Sequence, residues 1–427
     1  MPNHTKTLHI TNAFHSASGG VATSFHALLA EANKAGRPMR LVVPSDRDYI
    51  EEAGDYGRIY HVAAPHSILF DRRYRTILPH RYLIGRSGAI WDILKAEQPD
   101  LLEVCDKFCL NWIGGLFRKG WHRGVKRPVL VGWTTERMDD QLAAYISRSA
   151  MAAEFARWYM RYCYTPLFDY HIANSSYTAD EIRGCMAARH SREVLVCTHG
   201  VDCASFHPAR RDAATRQRLL KMSGGDPHSL LLLYSGRLAR EKNIGLLVDL
   251  MARLNSTSDC DYRLIIAGQG PMAAWLATEL TRRSASRFVF LGHVADKSAL
   301  ARLYASCDVF IHPNPREPFG IAPLEAMASG LALVAPSSGG VLSYADQSNS
   351  WPVPADPASF HQAIIEAAPP EIRRTRTLAA RRTAEQFDWP IVAARMFNIY
   401  DRLIETRFGA GGEAVTELSC VHMVTDG

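Results

Sequence analysis

Short apolar runs bounded by turn residues alternate along this chain with longer stretches in which apolar positions recur every three or four residues. The first pattern marks buried strands and the second amphipathic helices. Leu8–Thr11 reads as a strand, followed by a glycine turn (Ser18, Gly19, Gly20) and a helix from Val21 to Ala35. Met39–Val43 reads as the next strand, ended by Pro44, and Ala89–Glu97 as a helix ahead of a strand at Leu101–Cys105. Strands are also expected at Val129–Trp133 and Tyr170–Asn174, with Ser175 or Ser176 capping the helix that follows. Strands alternating with helices, without hairpin signals, imply a parallel, doubly wound sheet.

The pattern breaks between Cys197 and Pro208, where Gly200, Asp202 and Pro208 fall, and restarts at Leu230–Ser235. Strands then recur at Tyr262–Ala267, Phe288–Leu291, Val309–His312 and Ala332–Ala335. A length of 427 residues exceeds what one core normally supports. The expected organisation is therefore two α/β domains, 1–200 and 205–388. An amphipathic helix is expected over Ile391–Ile404, and a helix of about 390–405 would cross back onto the N-terminal domain. Residues 408–427 read as a loose tail.

Hydrophobic content of 47% and charged content of 22% belong to an ordinary soluble protein. The longest apolar run, Leu230–Leu233 with Tyr234 behind it, is far short of the roughly 20 residues that span a bilayer. Met1–Thr7 lacks the apolar core of a secretory signal. Nine cysteines without a CxxC pair argue for reduced thiols in a cytoplasm and against a structural metal site.

The net charge of +6 is uneven: Asp71 to Arg127 holds twelve Lys/Arg against six Asp/Glu. The same stretch carries Tyr74, Tyr82, Trp91, Phe108, Trp112, Phe117 and Trp121. Such a surface suits anionic lipid, and so peripheral association with the inner face of a plasma membrane. It equally describes a solvated face over buried aromatics. A nucleic-acid partner rests on nothing beyond this stretch and is not adopted.

The strongest chemical signal is Glu317-Pro-Phe-Gly-Ile-Ala-Pro-Leu-Glu325, a loop opening a helix after a strand. Gly320 permits close backbone approach, and the N–H groups of Gly320, Ile321 and Ala322 at the helix start suit a phosphate or sugar oxygens. Two carboxylates on either side of that start could hold two parts of one extended ligand. A second segment, Ser235-Gly-Arg237-Leu-Ala-Arg-Glu-Lys242-Asn243, follows a strand at the edge where open α/β sheets bind ligands. Arg237 and Lys242 there form a fitting clamp for a diphosphate. The Gly19-Gly20 turn lacks the full dinucleotide fingerprint and is weak alone.

Together these segments resemble the retaining glycosyltransferases of family 4, of GT-B fold: two Rossmann-like domains facing each other across a cleft. The resemblance runs through Gly19-Gly20-Val21, His199-Gly200-Val201-Asp202 with Phe206 and Pro208, the Arg237–Asn243 segment, Ala267–Pro271, Phe290–Val294 and Glu317–Glu325. Within the family it is greatest to bacterial GDP-mannose-dependent α-mannosyltransferases acting on lipid or glycolipid acceptors. It implies a nucleotide-sugar donor, GDP-mannose rather than a UDP-sugar, a lipid or glycan acceptor, and no metal or other cofactor. Arg237 and Lys242 would then grip the phosphates, with Gly19 and Gly20 closing from the other domain. Glu317 would bind the transferred sugar and Glu325 the ribose. Gly320, Ile321 and Ala322 would donate N–H groups, and Val294 and Asp296 would meet the base.

One departure stands out. The family commonly places a histidine after the fourth strand, where this chain has Thr134 and Thr135. Transfer in the family is thought to occur on the front face, the leaving phosphate taking the acceptor's proton, which depends on positioned charge more than on a nucleophile. His15, which could compensate for the missing histidine, and Thr134 and Thr135 themselves are the candidate phosphate or acceptor contacts. Asp46-Arg-Asp48 and Asp259-Cys-Asp261 spell DxD but read as solvated turns. A sugar-nucleotide epimerase of the same fold and a non-catalytic nucleotide-sugar-binding homologue are the alternatives. An oxidoreductase would need GxGxxG, which neither domain carries.

Overall fold

The computed structural model describes residues 5–14, 19–67, 74–83, 88–122, 124–146, 149–186, 194–257, 260–284 and 287–408. The chain forms two compact units, Met1–His199 with Trp389–Gly427, and Gly200–Asp388.

The first unit is built on strands β1 (Thr7–Thr11), β2 (Met39–Ser45), β3 (Tyr49–Glu52), β4 (Gly57–Ala63), β5 (Leu101–Cys105), β6 (Val129–Thr134), β7 (Tyr170–Ala173) and β8 (Val194–Val196). They lie in the order β3-β4-β2-β1-β5-β6-β7-β8. All neighbours are parallel except β3 and β4. β1, β5 and β6 are buried along their whole length, as a sheet covered by helices on both faces requires.

Two expectations fail here. Pro44 does not end β2: it pairs in register with Val62 of β4, and the strand continues to Ser45. One residue from the strand end, its missing N–H removes at most one ladder bond. The antiparallel β3–β4 hairpin gave no signal because β3 is wholly exposed and β4 is interrupted by the half-buried Arg58 and His61.

The Trp389–Phe408 helix closes the first unit. Val392, Met396, Tyr400 and Leu403 form its buried stripe. The Tyr400 hydroxyl donates to Glu103 Oε2 at 2.8 Å, while Glu103 Oε1 lies 2.8 Å from His9 Nδ1. Asp401 accepts from Arg37 at 2.9 Å and from Thr5 at 2.8 Å. Glu103 is fully buried, so these partners are what make its carboxylate tolerable.

The second unit is an all-parallel sheet of β9 (Leu230–Ser235), β10 (Tyr262–Ala267), β11 (Phe288–Gly292), β12 (Val309–Ile311), β13 (Ala332–Pro336) and β14 (Trp351–Val353). Its order is β11-β10-β9-β12-β13-β14. The side chains of β9 alternate between two cores: Leu231 and Leu233 enter one, Leu230, Leu232 and Tyr234 the other. The chain builds outward from β9 to β11, then returns to build the other way from β12. That reversal opens a crevice at the carboxyl ends of β9 and β12.

Candidate functional site

The loops that leave β9 and β12 meet at this reversal. Asn243 adopts a left-handed backbone (φ 53) and donates from Nδ2 to the Pro313 carbonyl at 2.9 Å, tying one loop to the other. Glycines let neighbouring loops nest. A Cβ on Gly268 would lie 1.9 Å from the Gly236 carbonyl oxygen, and one on Gly270 2.2 Å from that of Leu238. The Leu238 N–H donates to Gln269 at 2.9 Å and the Gly268 N–H to Gly292 at 2.7 Å.

At this junction the Lys242 ammonium donates to Glu317 Oε2 at 2.8 Å and Oε1 at 3.0 Å. Asn314 Nδ2 donates to Oε2 at 2.9 Å, and His312 Nε2 stands 3.9 Å from the same oxygen. Burial would raise the Glu317 pKa, but Lys242 and the hydrogen bonds overcome it and hold the carboxylate at about 2. Burial depresses His312 to about 4, with Glu317 opposing, so its ring is neutral at neutral pH. Asn314 and His312 were not singled out from the sequence. Two buried polar residues beside a strand end carry no periodic signature, and only the fold reveals their convergence.

The backbone of this loop is fixed from behind. The Gly340 N–H donates to the Glu317 carbonyl at 2.7 Å, and a Cβ on Gly340 would stand 1.8 Å from the Pro318 oxygen. Tyr344 Oη reaches the carbonyls of Phe319 at 3.1 Å and Gly320 at 2.5 Å. Gly320 has φ 89 and precedes the Ile321–Ala328 helix. The N–H groups of Ile321 and Ala322 open that helix without intrahelical acceptors, and the third position is Pro323. The positive end of the helix therefore lies beside the Glu317 loop.

Glu325, one turn on, is half-buried; burial pushes its pKa up to about 7, against the Tyr304 hydroxyl and the Lys297 charge. Arg237 pairs with Glu241 at 3.3 Å and is half-buried. Val294 is half-buried after β11. Asp296 caps the Lys297–Ser306 helix, its Oδ1 accepting the Ser298 N–H at 2.8 Å.

In the first unit, Gly19 (φ 100) precedes the Gly20–Lys34 helix. Thr134 is fully buried with its hydroxyl 3.3 Å from that of Tyr164, so as placed it offers a ligand no surface. Thr135 is half-buried, its Oγ1 3.7 Å from Cys105 Sγ. His15 lies outside the described residues. His199 is held between Ser24 Oγ at 2.7 Å and Asn174 Nδ2 at 3.1 Å, and burial depresses it to about 4.

The DxD triplets have structural duties. Asp48 accepts the Ala63 N–H at 2.7 Å and Asp46 the Ser45 hydroxyl at 3.1 Å. Asp261 is no solvated turn residue: it pairs with Arg263 at 2.7 Å and Arg287 at 3.5 Å. Asp259 lies outside the described residues. Among the described residues no three His, Cys, Asp or Glu side chains group as metal ligands.

Residues 229–368 match the family described as Glycosyl transferases group 1, and residues 18–205 that described as Glycosyltransferase Family 4. A GDP-mannose-dependent alpha-(1-6)-phosphatidylinositol dimannoside mannosyltransferase of Mycobacterium tuberculosis (strain ATCC 25177 / H37Ra) is 29% identical over 409 residues, covering 95% of this chain and 98% of that protein. A GDP-mannose-dependent alpha-mannosyltransferase of Corynebacterium glutamicum is 27% identical over 325 residues, 75% of this chain and 70% of that one. Among solved structures, the sucrose-phosphate synthase of Thermosynechococcus elongatus superposes with a TM-score of 0.69 at 19% identity, covering 94% of this chain and 100% of that chain.

Proposed function

We propose, from the premise that this chain belongs to the family 4 glycosyltransferases and has the GT-B fold, that it transfers mannose from GDP-mannose to a lipid-linked acceptor with retention at the anomeric carbon. The observation that carries the site assignment is the convergence of Lys242, Asn314 and Glu317 beside the open N-terminus of the Ile321–Ala328 helix. The choice of mannose and of GDP rests on the two bacterial relatives, and that of a lipid on the phosphatidylinositol dimannoside mannosyltransferase alone.

In this reading the donor's diphosphate occupies the helix N-terminus and meets the Ile321 and Ala322 N–H groups, Arg237 and Lys242. Glu317, kept ionised, accepts hydrogen bonds from the mannosyl hydroxyls and holds the ring over its leaving group. Asn314 stays on Glu317 when Lys242 turns to phosphate. Glu325 takes the ribose hydroxyls, and the loop of Val294 and Asp296 meets the base. The bond from the anomeric carbon to the phosphate oxygen breaks as that to the acceptor oxygen forms on the same face. The departing phosphate oxygen takes the acceptor's proton. Catalysis then consists of position and fixed charge.

The test is to incubate the protein with a lipid extract and GDP-mannose or UDP-glucose, then analyse the lipids by mass spectrometry and the new linkage by NMR. An α-mannosyl lipid formed from GDP-mannose is expected. Transfer from UDP-glucose alone would overturn the donor assignment. An epimerised sugar nucleotide formed without acceptor would replace the reading by an epimerase.

A further inference from the structure

Four large apolar side chains stand exposed along one face of a single segment of the first unit. They are Met151, Phe155, Trp158 and Tyr162, with relative exposures of 77%, 50%, 52% and 60%. Their spacing of four, three and four residues places them on one stripe of the Ala150–Tyr159 helix and the π-helical turn Met160–Tyr164 that continues it. The opposite side is anchored: Ala156 and Met160 are buried in the core of the first unit. The stripe is therefore the outward face of a helix already packed on its other side. The rings contact one another, Phe155 to Trp158 at 5.9 Å and Trp158 to Tyr162 at 6.3 Å.

The flanks are cationic. Arg157 and Arg161 are exposed beside the stripe, and the Arg161 guanidinium lies 5.6 Å from the Tyr162 ring centroid. Glu154 is the one acidic residue in 150–164. Beyond the stripe, Arg118 at the end of the Trp112–Arg118 helix donates to the Phe168 carbonyl at 3.2 Å and pairs with Asp169 at 3.1 Å, and exposed Lys119 and Trp121 follow it. By contrast, Tyr82, Trp91 and Phe117, which made the Asp71–Arg127 stretch look like a lipid surface, are core residues.

We infer that the Met151–Tyr162 stripe, with its flanking arginines, is the element by which this protein docks on an anionic lipid bilayer, lying in the plane of the interface. An apolar stripe of Trp, Tyr, Phe and Met edged by long basic side chains matches the headgroup boundary, where rings sink and guanidinium groups remain at the phosphates. A second copy of the chain fits less well, since a two-fold contact would bring Arg157 and Arg161 of both copies together with one Glu154 each to offset them. The inference rests on the reading of a lipid-linked acceptor and adds where the chain meets that lipid's membrane.

The test uses the full chain and vesicles of phosphatidylcholine, with or without phosphatidylglycerol, containing neither donor nor acceptor. Co-sedimentation should be at least ten-fold stronger with the anionic vesicles and weaken with salt. Phe155→Ser with Trp158→Ser should lose that binding ten-fold or more while GDP affinity and melting temperature stay put. Arg157→Gln with Arg161→Gln should erase the preference for anionic lipid. Hydrogen–deuterium exchange on the unaltered chain should show vesicle-dependent protection across 150–162, a readout no misfolded variant can confuse. Absence of vesicle binding, absence of protection there, or a Ser variant that binds as the parent does would overturn the inference. So would a variant that merely dissociates a dimer. A failure of the function reading alone leaves vesicle binding intact and abolishes mannosyl transfer; a failure of docking alone leaves transfer to a water-soluble acceptor intact.

Discussion

The Lys242 ammonium lies 2.8 Å and 3.0 Å from the two carboxylate oxygens of Glu317, although 75 residues separate them. Sheet order is the cause. β9 and β12 are neighbours because the chain reverses its direction of strand addition between them, so the loops leaving both strands emerge side by side. The pair keeps the carboxylate ionised, and the Ile321–Ala328 helix opens four residues beyond Glu317. On the proposed reading an arriving diphosphate would compete with Glu317 for Lys242, while the 2.9 Å hydrogen bond from Asn314 would stay on the carboxylate.

Glu317→Gln should therefore separate chemistry from nucleotide binding. The amide keeps the size, loses the charge and turns one acceptor into a donor toward the sugar. Turnover with the true donor is expected to fall ten-fold or more, about 1.4 kcal/mol in the barrier, with affinity for free GDP nearly unchanged by calorimetry. A variant that lost GDP affinity and kept its turnover would oblige Glu317 and Glu325 to exchange roles.

Arg237→Ala should do the reverse. Arg237 is half-buried and pairs at 3.3 Å with Glu241, itself half-buried in the Arg240–Lys242 turn; on the proposed reading the diphosphate draws the guanidinium to itself. Losing a charge-assisted contact costs about 1.5–3 kcal/mol, so GDP affinity should drop by an order of magnitude or more while the melting temperature holds. Equal GDP affinities in parent and variant would remove Arg237 from the site.

A third substitution acts from behind. Gly340→Ala would place a methyl 1.8 Å from the Pro318 carbonyl oxygen, and only movement of the Glu317–Gly320 backbone relieves that clash. Overpacking of this kind costs about 1–3 kcal/mol. The expected outcome is a lowered melting temperature together with a turnover loss approaching that of Glu317→Gln. Full activity in a destabilised variant would mean that the loop tolerates displacement.

Much of this arrangement was legible before the fold was known. The ends of β5, β9 and β10 were read without error because apolar residues dominate each, with Glu103 and Arg263 the one charge in β5 and in β10, and nearly every position is buried. β4 and β14 were missed for the complementary reason: Arg58 and Pro352 break their runs, and only pairing with neighbours makes them strands. In the site, Arg237, Lys242, Glu317 and Glu325 announced themselves by charge beside glycine. His312, Asn314, Gly340 and Tyr344 did not, because they act through burial and backbone contacts that spacing does not encode. Composition left the rings of 71–127 open between a lipid surface and a core: Tyr82, Trp91 and Phe117 are buried, whereas Trp121 is exposed, as Trp158 is outside that stretch.

Transfer should proceed without a divalent ion. On the proposed reading Arg237, Lys242 and the N–H groups of Ile321 and Ala322 would supply the positive charge that a leaving diphosphate needs, while Asp46, Asp48 and Asp261 are engaged in hydrogen bonds and ion pairs of the scaffold. Turnover measured in EDTA should match that measured in Mg²⁺ or Mn²⁺ within about two-fold, a change under roughly 0.5 kcal/mol. Activity lost in EDTA and restored by Mn²⁺ would place a metal at the phosphates.

Glu325 should make both stability and nucleotide binding depend on pH near neutrality. Burial lifts its pKa from an ordinary 4.5 to about 7. For a carboxyl raised on folding, the contribution to stability is fully present below about 4.5 and is lost as pH rises through 7. Denaturant titrations should show the parent losing stability across that window relative to Glu325→Gln, which has no proton to release. Binding should run the other way. An ionised carboxylate is the stronger acceptor for two ribose hydroxyls, so the parent's advantage over Glu325→Gln in GDP affinity should grow between pH 6 and pH 8. The phosphates of GDP titrate alike with both proteins, and taking the difference cancels them. A gap in affinity that stayed constant from pH 6 to pH 8 would detach the ribose from Glu325, and parallel stability curves would mean that its carboxyl is not raised at all.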